Sequence, residues 1–337
     1  MSGHLMASEM REQPARLRIL LERSSDIASR VRALIPQPFN GVTIVARGSS
    51  DHAAVYGRYL IEAATGKPVS LAAPSLHTLY RVPADYRGQI VIAISQSGAT
   101  PEIVQTLRTL QEAGGRGLAI TNEADSPLAR AAAATIALDL GRELAVPATK
   151  TVTGQLVAMA IVASALDEAP FDGAELARVP EWIEAVLDDC APAAQVAQSL
   201  VQAQQLVVTA RGYMYAAALE TALKIKETCY LLAEGYSVAD LRHGPIAAVA
   251  AGTPVLALTS PGAAAQDVRL LVTELRDRGI SVHVLGSEAD VGLPADIPEA
   301  LSPIVTVVRG QQIAYNLARA LGHDPDQPNG LNKVTLT

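Results

Sequence analysis

The sequence predicts an α/β fold made of two tandem domains, each a mostly parallel sheet flanked by helices. Three observations carry that prediction. Short apolar runs rich in Val and Ile alternate with helical stretches, as βαβ units require. The main runs end in turns that contain Gly. The same order of run and turn then recurs in the second half of the chain.

Taken in order, a polar lead is followed by amphipathic helical spacing from Leu17 to Leu34, stopping before Pro36. Val42 to Ala46 reads as a buried strand ending in Arg47-Gly48-Ser49-Ser50, and Ala53 to Ala64 as a helix. A second buried strand, Ile90 to Ile94, ends in Ser95-Gln96-Ser97-Gly98-Ala99-Thr100. Pro101 is allowed in the first turn of the helix that follows, which runs to about Ala113. Gly117 to Thr121 and Thr135 to Leu140 are further short strands.

In the second half, Leu206 to Ala210 ends in Arg211-Gly212, and Pro254 to Leu258 ends in Thr259-Ser260-Pro261-Gly262. Gly48 and Gly212 lie 164 positions apart, and so do Gly98 and Gly262. An internal repeat is the expectation from both offsets, with coincidence between two unrelated α/β domains as the plain alternative. The expected organisation is a first domain over 1–168 with a helical lead, a second over 175–322, and a C-terminal tail over 323–337. The repeats differ in one place. Ser95 to Thr100 corresponds to Thr259-Ser260-Pro261-Gly262-Ala263-Ala264, where Pro removes an N–H donor and the final Thr is lost. If the repeat binds phosphate, the first half does so.

Composition narrows the function. The 337 residues suffice for two domains, with 49% hydrophobic and 18% charged residues, which suits buried cores. A net charge of −7 and 4% aromatics argue against a nucleic-acid surface. Only Cys190 and Cys229 occur, which suits a reducing compartment. No Cys/His cluster or dinucleotide fingerprint suggests a metal or organic cofactor, so none is expected. The N-terminus lacks the apolar core of a signal peptide, and the apolar stretch Leu156 to Leu166 is too short to span a bilayer. A soluble cytoplasmic protein is expected, with no membrane partner.

Ser95 to Thr100 lies where a strand's carboxyl end meets a helix N-terminus. Ligands collect there in open α/β sheets, because free N–H groups and the helix dipole favour an anion. Ser95, Ser97 and Thr100 add hydroxyls, and Gly98 allows close approach of the backbone. An ordinary capping loop is the plain alternative. Ser49 and Ser50, at the first strand's end, point to the same crevice.

These residues resemble a known family. Gly48-Ser49-Ser50, Ser95 to Thr100 and Thr149-Lys150 are similar to the first isomerase domain of glutamine–fructose-6-phosphate aminotransferases. Leu219 to Glu227 and Leu241-Arg242-His243-Gly244-Pro245 resemble the second, and Asp326 to Lys333 resembles their C-terminal tail. The match runs from Glu12 onward in the right order, and identifies the chain as a member of the sugar-isomerase (SIS) family. The resemblance implies that Ser95, Gln96, Ser97 and Thr100 hold a sugar phosphate, while Ser50 and the backbone at Val146 touch sugar hydroxyls. It implies that Glu227 moves a proton between carbons 1 and 2, that His243 opens the ring from a neighbouring subunit, and that Lys333 meets the sugar carbonyl. Lys224 joins the expected catalytic set, and a homodimer follows.

The chemistry fits the residue types. A positioned carboxylate can shuttle a proton through an enediol-like or enamine-like intermediate. A His titrates near neutrality, as ring opening needs, and a Lys amine can form a Schiff base with a ketose. Each has a plainer alternative. Glu220, Lys224 and Glu227 share one helical face and would also suit a solvated, ion-paired surface; His243 would also suit a turn before Gly-Pro.

Three positions depart from the family pattern. Ala148 stands for a Ser near the sugar, Ala99 for a Glu in the phosphate loop, and Asn332 for an Ala beside the tail Lys. The family's aminotransferases also carry a glutaminase domain that opens on a nucleophilic Cys, and neither cysteine here is near the N-terminus. The expectation is therefore an isomerising deaminase that converts glucosamine 6-phosphate to fructose 6-phosphate and ammonia. Alternatives are an aminotransferase subunit fed by a separate glutaminase, a fructosamine-6-phosphate deglycase, and a non-enzymatic sugar-phosphate sensor.

Overall fold

Apolar runs fold into strands close to where the pattern puts them. The computed structural model describes residues 3–286 and 289–333. The first half forms α1 (His4–Glu22), α2 (Ser24–Ala33), β1 (Gly41–Val45), α3 (Ser49–Thr65), β2 (Val69–Leu71), α4 (Pro74–Thr78) and β3 (Gln89–Ile94). It continues through α5 (Pro101–Glu112), β4 (Arg116–Thr121), α6 (Pro127–Ala131), β5 (Ala134–Ala137) and α7 (Lys150–Leu166).

The second half forms α8 (Gly173–Ala177), α9 (Val179–Asp188), α10 (Ala191–Leu200), β6 (Gln205–Ala210), α11 (Tyr215–Cys229), β7 (Leu232–Ser237) and α12 (Val238–Arg242). Then come β8 (Val255–Leu258), α13 (Ala265–Asp277), β9 (Val282–Gly286), β10 (Val291–Gly292) and α14 (Ser302–Ala320).

The described residues cluster into two compact units. The first takes Ala15–Glu143 and Lys150–Asp172. Relative to the division expected between 168 and 175, the second unit takes Gly173–Lys333 together with the segment ending at Pro14 and Leu144–Thr149.

Each unit has one five-stranded parallel sheet. The first runs β2-β1-β3-β4-β5 and the second β7-β6-β8-β9-β10, so the strand order is the same. The register also matches: Val42 pairs Val69 and Ile90, and Val207 pairs Glu234 and Val255. In each sheet the first strand lies inside and the chain moves to the opposite edge, creating a switch point between the first and third strands.

Each unit also packs the helix after its first strand against a long closing helix. In the first unit α3 meets α7, where a Cβ at Gly57 would lie 2.0 Å from Met159 Cε. In the second, α11 meets α14, where a Cβ at Gly310 would lie 2.3 Å from Thr221 Oγ1. In both, a glycine lets two helices approach closely. Helix α7 is buried on nearly every side, consistent with its apolar sequence. Among the described residues no helix is long and apolar enough to cross a membrane.

Two expected elements are corrected. The single helix over Leu17–Leu34 is instead α1 and α2, interrupted at Arg23, and α1 begins at His4 and passes through Pro14. Pro14 cannot donate to the carbonyl of Met10, and the Gln13 side-chain amide donates to that carbonyl instead at 3.0 Å. The strand expected to reach Leu140 stops at Ala137, where the chain turns through Asp139 at φ 54°.

Candidate active site

In the first unit, β3 delivers Ser95–Thr100 to the start of α5. The backbone of this loop is held from below. Ser95 N–H donates to Ile120 O at 3.1 Å, Asn122 N–H to Gln96 O at 3.0 Å, and Leu128 N–H to Gly98 O at 2.9 Å. Gly98 has φ 60°, and a Cβ there would lie 2.1 Å from Ser126 Oγ and 2.8 Å from Thr121 Oγ1. Only glycine lets the turn sit this close to its support.

The hydroxyls stand above that frame. Ser97 Oγ accepts the Ala99 N–H at 3.2 Å, and the Ser95 and Thr100 hydroxyl oxygens lie 3.4 Å apart. Thr100 is the N-cap of α5 but makes no side-chain capping bond, and Pro101 follows. Ser97 borders a cavity of about 730 Å³ shared with Arg23, Asn122, Glu123, Asp125 and Asp139, a size that suits a small ligand.

β1 is the neighbour of β3, so the loop after it opens at the same sheet edge. Gly48, at φ 60°, leads into α3 and places Ser50 in the first turn, buried at 7% exposure. Burial also pushes the neighbouring Asp51 carboxyl up, against the pull of His52 and Arg47. Arg47 ties the two loops together: its Nε and Nη2 contact Glu102 Oε2, in the first turn of α5, at 3.0 and 2.9 Å.

The matching loop of the second unit is built differently. Gly212 and Gly262 keep positive φ, at 63° and 128°. Arg211 pairs with Asp267 at 3.3 Å, echoing Arg47 and Glu102. Here, however, the protein supplies its own anion. The Glu299 carboxylate accepts the Ala263 N–H at 3.1 Å and the Ala264 N–H at 3.4 Å. These positions match Ala99 and Thr100. Burial, and then Glu299, raise the Tyr213 phenol above its usual range.

The other candidate residues belong to the second unit. Lys224 and Glu220 are each 1% exposed and Glu227 is 22% exposed at its side chain. Lys224 Nζ donates a short hydrogen bond to Glu227 Oε2 and lies 3.4 Å from Glu220 Oε1. The solvated ion-paired face is therefore not what forms. One buried ammonium sits between two carboxylates, and of the three only Glu227 reaches solvent. Such a group persists in low dielectric only when paired.

His243 is exposed at the C-cap of α12, and among the described residues no hydrogen bond or ion pair joins its ring to Glu227, Lys224 or Lys333. Lys333 is half-buried at the end of the described tail. Val146 donates its N–H to Asp326 O at 2.9 Å.

Asp326 and Glu299 were not legible as site residues in the sequence. Asp326 Oδ2 and Oδ1 accept the N–H groups of Leu5 and Met6 at 3.1 and 2.8 Å, capping α1. In the sequence it stands only as the first residue of the tail motif, at the end of an Asp-Pro-Asp stretch. Glu299 is one acidic residue in a loop and carries no signal at all. Among the described residues no group of three or more His, Cys, Asp or Glu side chains could hold a metal ion.

Comparison with known proteins places this geometry. A family model described as the SIS domain matches residues 40–165 and 199–293. The glutamine–fructose-6-phosphate aminotransferase of Thermus thermophilus is 33% identical, over 98% of this chain and 58% of that enzyme. The chain thus spans little more than half the length of such relatives. A solved protein from Silicibacter pomeroyi DSS-3, provisionally described as a phosphosugar isomerase, superposes with a TM-score of 0.87. It is 32% identical and covers 97% of this chain and 100% of its own. The C-terminal domain of glucosamine-fructose-6-phosphate aminotransferase from Francisella tularensis superposes with a TM-score of 0.83 at 26% identity, covering 97% of this chain and 98% of that one. With both halves matched by one model and both sheets in one strand order, the chain belongs to the SIS-domain family.

Proposed function

We propose that this chain is a phosphosugar isomerase-type enzyme that deaminates glucosamine 6-phosphate to fructose 6-phosphate and ammonia. The observation that carries the reading is Glu227, a solvent-reaching carboxylate held by a buried ammonium. Such a group is a fixed base with a defined charge partner. In this mechanism the hydroxyls of Ser95, Ser97 and Thr100, with Gln96, hold the phosphate, and Ser50 and the Val146 carbonyl meet sugar hydroxyls.

The ring-opened amino aldehyde loses its carbon-2 proton to Glu227, which returns it to carbon 1. The product is the carbon-2 imine, and water converts it to the ketone with release of ammonia. Lys224 balances the carboxylate charge while the proton is away. Lys333 serves the carbonyl end. The exposed His243 opens the ring of a substrate on a second copy of the chain, which makes the working unit a twofold dimer.

The 33% identity to an aminotransferase that this chain covers over 58% of its length favours a second reading, the isomerase part of a synthase. Incubation with glucosamine 6-phosphate alone separates the two. Ammonia and fructose 6-phosphate should appear together. Turnover of fructose 6-phosphate with ammonium, without detectable deamination, would overturn the deaminase in favour of the synthase part.

A further inference from the structure

Tyr230 ends α11 in a conformation that its residue type resists. Its φ of 56° and ψ of 24° put a bulky aromatic in the left-handed region, where a helix end usually has Gly. Core packing does not hold the ring there, since Tyr230 is 47% exposed. Its side-chain contacts go instead to the C-terminal segment. The phenolic oxygen accepts the Asn329 N–H at 2.7 Å, and the ring meets the His323 ring edge-on at 4.8 Å with the planes at 73°.

A backbone outlier kept at a bulky residue argues that the side chain is needed where that conformation aims it. Glycine would end the helix more easily and hold nothing. The contact joins two stretches that matter: Tyr230 follows Glu227 by three residues, and Asn329 precedes Lys333 by four. Upstream, the segment is already fixed where Asp326 meets Leu5, Met6 and Val146.

We propose that Tyr230 is a positioning residue, setting the tail lysine in register with the helix that carries Lys224 and Glu227. The use of that register rests on the reading of Glu227 and Lys333 as reacting groups. The register itself does not.

Tyr230→Phe keeps the ring and its contact with His323 and removes only the acceptor oxygen. Amide hydrogen exchange by mass spectrometry should show faster exchange in peptides covering 327–333 and unchanged exchange in α11. With glucosamine 6-phosphate, kcat should fall about 2- to 12-fold, the effect of losing one neutral hydrogen bond, while KM holds. In a Lys333→Ala background the same change should cost nothing further. Tyr230→Gly relieves the backbone, so a purely structural role predicts a protein at least as active as wild type; positioning predicts a loss at least as large as that of Tyr230→Phe. Wild-type exchange in the tail, or a kcat loss that persists in full without Lys333, would overturn the proposal. If the wild-type protein fails to turn over the sugar, the functional reading falls, and the exchange measurement still decides whether Tyr230 holds the tail.

Discussion

The loops after β3 and β8 are the same turn in the same place of one repeated fold, yet they present opposite faces to an anion. The first offers hydroxyls on a frame that makes its own backbone bonds below the surface. The second offers two N–H groups already taken by the Glu299 carboxylate. A negative ligand drawn to the first would meet a negative side chain at the second. The two loops differ in whether a protein carboxylate takes their N–H groups, not in the fold that carries them, and the second unit carries its candidate chemistry on α11.

Four variants test this division, from the largest effect to the smallest. If the second unit reacts and the first grips, Glu227→Gln should lower kcat by about 10²–10⁴, the usual cost of losing a general base. Binding of glucosamine 6-phosphate should survive. The measurement is carbon-2 proton exchange in deuterated water, and near wild-type exchange would remove Glu227 from the mechanism.

The double change Ser97→Ala with Thr100→Ala should act on the other parameter. Two lost bonds to a charged phosphate, at about 1.5–3 kcal/mol each, raise KM by roughly 10²–10⁴. A fall in kcat with KM unchanged would break the division between grip and chemistry.

Glu299→Ala strips the second loop of its built-in anion. Because the carboxylate is only half-buried, the cost should be about 1–2 kcal/mol, seen as a melting temperature lower by roughly 2–8 °C. KM for the sugar phosphate should not move. A tighter KM would mean that the second loop competes for substrate, and the two loops would then be alike after all. The smallest effect belongs to Ser260→Ala, the counterpart of Gln96 in the repeat offset and the second loop's remaining hydroxyl beside Thr259. It should change KM by no more than about 0.5 kcal/mol, roughly twofold. An effect equal to that at Ser97 would sink the asymmetry.

Much of this arrangement is legible in the amino-acid sequence. The strands, the 164-residue repeat and the glycines at 48, 98, 212 and 262 are local facts, because period, turn chemistry and positive φ are written residue by residue. The single face shared by Glu220, Lys224 and Glu227 is equally local, since helical spacing alone defines it.

What the sequence could not carry is burial and long-range partnership. Identical spacing serves a solvated ion pair or a buried triad, and only the packing around α11 in the folded unit decides for burial. Helix α1 runs through Pro14 because a side chain supplies what the backbone cannot, and no propensity records that exchange. Glu299 reaches the second loop from 36 residues away, and Asp326 reaches α1 from more than 300. Local chemistry fixed which groups each segment offers. Tertiary structure decided which of those groups are desolvated, neutralised or joined, because these depend on chain closure that brings distant residues together.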